Sequence, residues 1–256
     1  MRGAGLAAAA AACTVAVAAS AACGGKPKPA APAEPPQKTR VVVEDEEQED
    51  GITFTNSRGR MDPAAVEAGL APYKQGLVDC YMSRVGKRRW LGGKVTIHWE
   101  IQRDGTVTAV KLSENTLGAW PIEKCLLELA RAATFDKPKN GDADFSIPLE
   151  FQHTGGVEDW EEDRTLRAVG GQTATLDACD KAKGLKGPPP TDVTITVYVG
   201  AGGKAQSVGF ASAASVIEDA WGDCAEKAAL AWRLTDPKGA VGKLVARYRA
   251  SEAQAQ

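Results

Sequence analysis

The chain is 256 residues long and carries 31 lysines and arginines against 33 aspartates and glutamates, a formal net charge of -2, with only two histidines. That length holds one or two domains, each large enough for its own core, and six tryptophans and four tyrosines are there to anchor them. The near-balanced charge excludes nucleic-acid binding driven by phosphate neutralisation, and two histidines leave little room for metal or acid–base chemistry.

The N-terminus reads as a targeting segment rather than as fold. Arg2 supplies a short positive region, and Leu6 to Ala22 form an alanine-rich apolar run of signal-peptide length. Ser20, Ala21 and Ala22 stand directly before Cys23, and Gly24 and Gly25 follow. The pattern resembles a bacterial lipoprotein signal, which implies removal of residues 1–22, acylation of Cys23 and a lipid anchor in the membrane. Glycine rather than aspartate at position 24 implies the outer membrane, with the protein facing the periplasm. Ser20 occupies a position where such signals usually carry leucine. The same small residues also suit the ordinary secretory peptidase, which would give a soluble periplasmic or secreted protein. A retained transmembrane helix is disfavoured by the weak hydrophobicity of alanine. All three readings put the remainder outside the cytoplasm, where disulfides persist.

Residues 23–61 form a tether. "GGKPKPAAPAEPPQKTR" is rich in proline and stays extended, and "EDEEQED" (Glu44 to Asp50) is a self-repelling, solvated spacer. Val41 to Val43 and Ile52 to Phe54 each offer a short edge strand.

The first domain spans 62–152. Asp62 can cap a helix whose first position is Pro63. Leu70, Tyr73, Leu77, Cys80 and Tyr81 then fall near the helical period, with Pro72 kinking the helix or delaying its start to Tyr73. Val95, Ile97, Trp99 and Ile101 alternate with Thr96, His98 and Glu100, a half-buried strand. Asp104-Gly105 turns the chain, and Val110 and Leu112 lead the return strand, with Val107 out of phase and therefore near a bulge. "WPIEKCLLELARAA" is a second helix with Ile122, Cys125, Leu126 and Leu129 on one stripe. Phe145 to Phe151 form a third strand, and Pro148 marks an edge or an end.

The order helix-strand-strand-helix-strand returns over 165–250, with "TLDACDKAKG" as a shorter first helix. Val193, Ile195, Val197 and Val199 match Val95, Ile97, Trp99 and Ile101 at a constant offset of 98 residues, and Gly203 matches Gly105. Such similarity marks a duplication. The expected fold is therefore α+β: two tandem copies, each a three-stranded antiparallel sheet with two helices on one face. The copies should pack separately, joined by a charged spacer over Gly155 to Gly171, and residues 251–256 form a disordered tail. Cys80 and Cys125 are 45 residues apart, as are Cys179 and Cys224. Equal intervals in equivalent elements select Cys80–Cys125 and Cys179–Cys224 from the three connectivities four cysteines allow. Closing such a loop stabilises by roughly 3–4 kcal/mol in the chain-entropy treatment.

Cys80-Tyr81, "GKVTIHWEIQRDGTVTAVKLSENTLG", the second-helix cysteine and "FDKPKNGDADFSIPLEF" together resemble the AgmX/PglI C-terminal domain. The resemblance covers about Pro63 to Gln152. It implies a fold similar to the TonB C-terminal domain and a setting like that of myxobacterial lipoproteins and gliding-motility proteins, and it implies no catalytic activity. The second copy, about Thr165 to Arg249, departs from the pattern: it lacks a tyrosine after Cys179 and carries "GPPP" before its strand, which makes it a degenerate copy.

Other chemistry is weak. His98 beside Glu100 could serve acid–base or metal chemistry, but both sit on the polar, open face of the sheet, where the second copy has Thr196 and Tyr198. His153 has no carboxylate or cysteine at ligand spacing. "GAGGK" (Gly200 to Lys204) lacks the spacing and the helix of a phosphate loop. "GKRRW" with Trp90 reads as a solvated helix end. The expectation is a non-catalytic envelope module with no cofactor, binding proteins or peptides by strand addition, within a motility or envelope assembly. An enzyme acting on cell-wall material would need a cleft between the copies holding His98, Glu100 or His153. TonB-like energy transduction would need an inner-membrane helix, which cleavage at Cys23 removes.

Overall fold

The computed structural model describes residues 51–54 and 59–250. The expectations for the signal segment, Cys23, Val41 to Val43, most of the tether and the tail lie outside the described residues.

In the first copy, the Asp62 side chain accepts the Ala64 N–H at 3.0 Å and starts α1 (Pro63–Leu70). Pro72 has no N–H to continue the ladder, so Ala71–Tyr73 tighten into a 3-10 turn before α2 (Lys74–Val85). Strands β2 (Gly93–Ile101) and β3 (Val107–Asn115) form the expected hairpin. Its register steps from Glu100↔Ala109 to Ile101↔Val107, so Thr108 is the extra residue of a bulge next to the turn. Helix α3 (Trp120–Ala132) crosses back and β4 (Ala143–Phe151) pairs with β2. The sheet differs from the expected three strands: β1 (Thr53–Phe54) adds a two-residue antiparallel edge on β4, giving the order β1-β4-β2-β3. Ile52, 7% exposed, and Phe54, its ring centroid 6.4 Å from that of Phe145, draw this segment onto the core.

The second copy repeats the plan with the order β5-β8-β6-β7. Strands β6 (Asp192–Gly200) and β7 (Lys204–Ala211) form its hairpin, and α5 (Asp219–Leu230) and β8 (Val241–Arg249) follow. Here too a fourth strand appears, β5 (Val157–Asp159), but it runs parallel to β8. The segment expected to be a spacer thus contributes β5 and also α4 (Glu162–Val169), which stands where α1 stands in the first copy. Gly170-Gly171 ends α4, and Gln172–Lys181 continue as a 3-10 helix rather than the expected α-helix. The Thr175 hydroxyl donates to the Gln172 carbonyl at 2.6 Å, an interaction that competes with regular helical pairing.

The apolar alternation is as expected. Val95, Ile97, Trp99 and Ile101 are buried, and so are Val193, Ile195, Val197 and Val199. Trp99 stacks on Phe145 with centroids 5.2 Å apart and donates its indole N–H to the Ala130 carbonyl at 3.0 Å, which ties sheet to helix. Trp221 and Tyr248 do the same job in the second copy by both donating to the Asp180 carboxylate, at 2.9 and 2.8 Å. Both disulfides form as paired from the intervals, Cys80–Cys125 with Cα atoms 5.7 Å apart and Cys179–Cys224 with 5.6 Å. Each links the first helical segment of its copy to the second.

Each bond closes a loop with a sequence separation of 45, for which chain entropy gives about 4 kcal/mol. Cys125→Ala and Cys224→Ala should each lower the melting temperature of the oxidised chain by several degrees, and adding reductant should remove most of the difference from wild type. Calorimetry with and without dithiothreitol checks this.

Candidate functional site

The largest cluster of buried polar groups lies where the second sheet meets the first copy. The outward residues of β6 and β7 point at the first copy rather than at solvent. This corrects the expectation that Thr196 and Tyr198 lie on an open face: both are fully buried. The physical reason is direct bonding across the junction. The Thr196 hydroxyl donates to the Asn115 carbonyl at 2.8 Å, the Tyr198 hydroxyl to the Gly92 carbonyl at 2.6 Å, and the Ser207 hydroxyl to the Gly118 carbonyl at 2.7 Å. Burial pushes the Tyr198 hydroxyl up to about 12, so it remains a donor at any physiological pH. The copies therefore do not pack separately.

Glu123 sits at the centre of this junction. It lies in the first turn of α3 and is fully buried. One carboxylate oxygen accepts the Ala119 N–H at 2.6 Å, which caps its own helix, and the other accepts the Phe210 N–H at 2.9 Å from β7. Asn115 completes the clamp: its amide donates to the Phe210 carbonyl at 3.2 Å, while its oxygen accepts the Leu117 N–H at 2.8 Å. Desolvation raises the Glu123 carboxyl to about 7 against these stabilising hydrogen bonds. Two glycines permit the approach. A Cβ on Gly209 would overlap the Glu123 carboxylate, and one on Gly222 would overlap the Trp120 ring. An apolar layer of Trp120, Phe210 and Trp221 lies beside the clamp, with Phe210 edge-on to both indoles. At the rim, Asp223 accepts from the Trp120 indole at 2.8 Å and pairs with Lys124 at 2.8 Å, and Arg131 pairs with Asp219 at 3.2 Å.

The histidines are placed elsewhere and apart. His98 lies on the outer face of the first sheet but is buried there, which corrects the expectation of an open position: its Nδ1 meets the Ser146 hydroxyl at 2.9 Å and its Nε2 is 3.9 Å from Glu100. Glu100 is held by Lys111 at 2.9 Å. Burial first, and then the Lys111 charge, lower the His98 pKa. His153 follows the far end of β4, with its Nδ1 at 3.0 Å from the Gly155 carbonyl. Because His153 lies beside Gly92, the two histidines are separated by about six strand residues, roughly 20 Å at the usual rise. The structure brings His98, Glu100 and Lys111 together and leaves His153 out. Among the described residues no group of three His, Cys, Asp or Glu side chains is arranged to hold a metal ion. "GAGGK" forms the β6–β7 turn, and Trp90 packs on Tyr198 with centroids 4.9 Å apart rather than closing a solvated helix end.

Among the described residues, no helix is long and apolar enough to cross a membrane. The two disulfides fit an oxidising compartment. No known protein family, curated protein or solved structure matches this chain.

Two outcomes test the junction. Gly222→Ala should destabilise the chain by about 1–3 kcal/mol through overpacking against Trp120, read as a lower urea midpoint. For Glu123, burial raises the folded-state pKa to about 7 from 4.5. The stability this group contributes is full below the unfolded value and is lost as pH rises through the folded one. Wild-type melting temperature should therefore fall between pH 5 and pH 8, and Glu123→Gln should flatten that slope.

Proposed function

We propose that this protein is an exported, non-catalytic interaction module of the cell envelope, held at the membrane by acylated Cys23, that takes up extended segments of other envelope proteins by strand addition. The observation that carries the reading is the state of the sheet edges. Strands β4 and β8 have nine residues each, yet β1 covers only Phe145 and Ser146 of the first and β5 only Val241, Gly242 and Lys243 of the second. The rest of each outer edge has no strand partner among the described residues. Such an edge offers main-chain donors and acceptors to an incoming strand. The paired disulfides support export, and the sequence around Cys23 and the proline-rich segment after it support a tethered lipoprotein. The resemblance of Pro63 to Gln152 to the AgmX/PglI C-terminal domain supports a place in a motility or envelope assembly, with no cofactor.

Mass spectrometry of the mature N-terminus should find a diacylglyceryl cysteine at Cys23; an unmodified terminus elsewhere would remove the anchor from the account. Photo-crosslinking residues placed at Leu149 and Arg247 in the native envelope should give adducts that map to extended segments of partner proteins. Adducts confined to positions on the helical faces, such as Met82, would count against strand addition.

A further inference from the structure

The two copies differ at one place in a way that defines a site. In the first copy, the wedge between α1 and the outer edge of β4 is filled by the chain itself: Ile52 and Phe54 point inward from β1, which pairs antiparallel with Phe145 and Ser146. Registers against the central strands give the equivalent positions in the second copy. Trp99 pairs Phe145 as Val197 pairs Leu244, Thr96 pairs Pro148 as Thr194 pairs Arg247, and Ile97 pairs Ile147 as Ile195 pairs Ala246. The partners of β1 thus correspond to Leu244 and Val245. β5 stops short of them, because its pairing ends at Asp159↔Lys243 and the Trp160 N–H makes the last ladder bond, to the Lys243 carbonyl at 2.7 Å. The chain then turns away into α4.

What remains is an open groove of about 650 Å³ between α4 and β8, lined by Trp160, Leu166, Val169, Val245 and Ala246. Three features separate it from an ordinary sheet edge. Ala246 replaces the larger Ile147, which widens the wedge. Leu166 is 64% exposed although it sits on the groove wall. The Trp160 ring, 7% exposed, packs its indole edge over Gly242 and walls the groove next to the end of β5. The Arg164 guanidinium lies 4.2 Å from the ring centroid and holds the indole in place.

We propose that this groove is the peptide-binding site of the second copy and that its occupant is an extended partner segment with aliphatic or aromatic side chains at alternate positions, running antiparallel to β8. The proposal rests on the strand-addition reading above and names its edge and its ligand chemistry. The first copy shows the fit: Ile-Thr-Phe, two apolar side chains two residues apart, is what the equivalent wedge accepts. In the second copy Leu244 is already covered, and the same register places an inward side chain beside Ala246, where it meets Leu166 and Val169.

The test uses the full mature chain and a labelled peptide with the sequence of residues 50–57, Asp-Gly-Ile-Thr-Phe-Thr-Asn-Ser. Anisotropy measures binding, and the indole N–H resonance of Trp160 reports the site. The expected result is saturable binding with a shift of that resonance. Leu166→Asp, at an exposed position, should weaken binding roughly tenfold or more by removing apolar contact, and Leu166→Ala by a smaller factor. The amide spectrum of each variant confirms that it is folded. Binding without a Trp160 shift and unaffected by Leu166→Asp overturns the groove while leaving strand addition at another edge standing. Absence of binding to any alternating apolar peptide overturns both. Contacts from Trp160 to the methyls of Val41 to Val43 in the free chain would make the occupant the protein's own segment, and peptide-free dimerisation abolished by Leu166→Asp would make it a second copy. Either result overturns the partner proposal.

Discussion

The arrangement of the two copies depends on one buried carboxylate. Glu123 caps its own helix through the Ala119 N–H and holds the β7 backbone through the Phe210 N–H. Burying a carboxyl group is costly: burial raises its pKa to about 7 even with both oxygens bonded, and without donors fixed in place the cost would be greater still. Those donors come from different copies, so the carboxylate is satisfied only in the docked arrangement. Asn115 adds a bond to the Phe210 carbonyl, so one residue of β7 is held at both its donor and its acceptor.

This clamp explains how duplication produced one body from two similar units. The outer face of the first sheet carries the polar group of His98, Glu100 and Lys111, of which His98 is buried and Glu100 reaches solvent. The outer face of the second carries Thr196, Tyr198 and Ser207, whose hydroxyls find backbone carbonyls of the first copy. Thr196 and Tyr198 stand where the first copy has His98 and Glu100, and these differences make the second sheet a docking partner. The last strands diverged in the other direction: the first copy fills its edge wedge with Ile52 and Phe54, while the second leaves its wedge open.

Much of the fold was legible because it is local or periodic. Strand alternation, the Asp104-Gly105 turn, the bulge forced by Val107 and the disulfide pairing all follow from spacing. Helix α4 was not legible, because "EDRTLRAV" sets only Thr165, Ala168 and Val169 against the core, so a single large apolar residue marks its buried face while Leu166 points to solvent. The junction was missed for a related reason. Thr and Tyr on alternate positions read as a solvated face, although "TITVYVG" is also nearly continuous in β-branched and aromatic residues, the pattern of a strand buried on both sides. Glu123 on the apolar stripe of "WPIEKCLLEL" was the other available signal. Its partner, a backbone N–H 87 residues away, carries no side-chain signature at all.

Native-state hydrogen exchange at the Phe210 amide tests the docked arrangement most directly. If the Glu123 clamp holds the copies as one cooperative unit, this amide exchanges only through global unfolding, at the same free energy as the slowest amides of both sheets. Exchange of Phe210 through a low-energy opening that leaves the core amides of both sheets protected would show that the copies separate freely and would contradict the account.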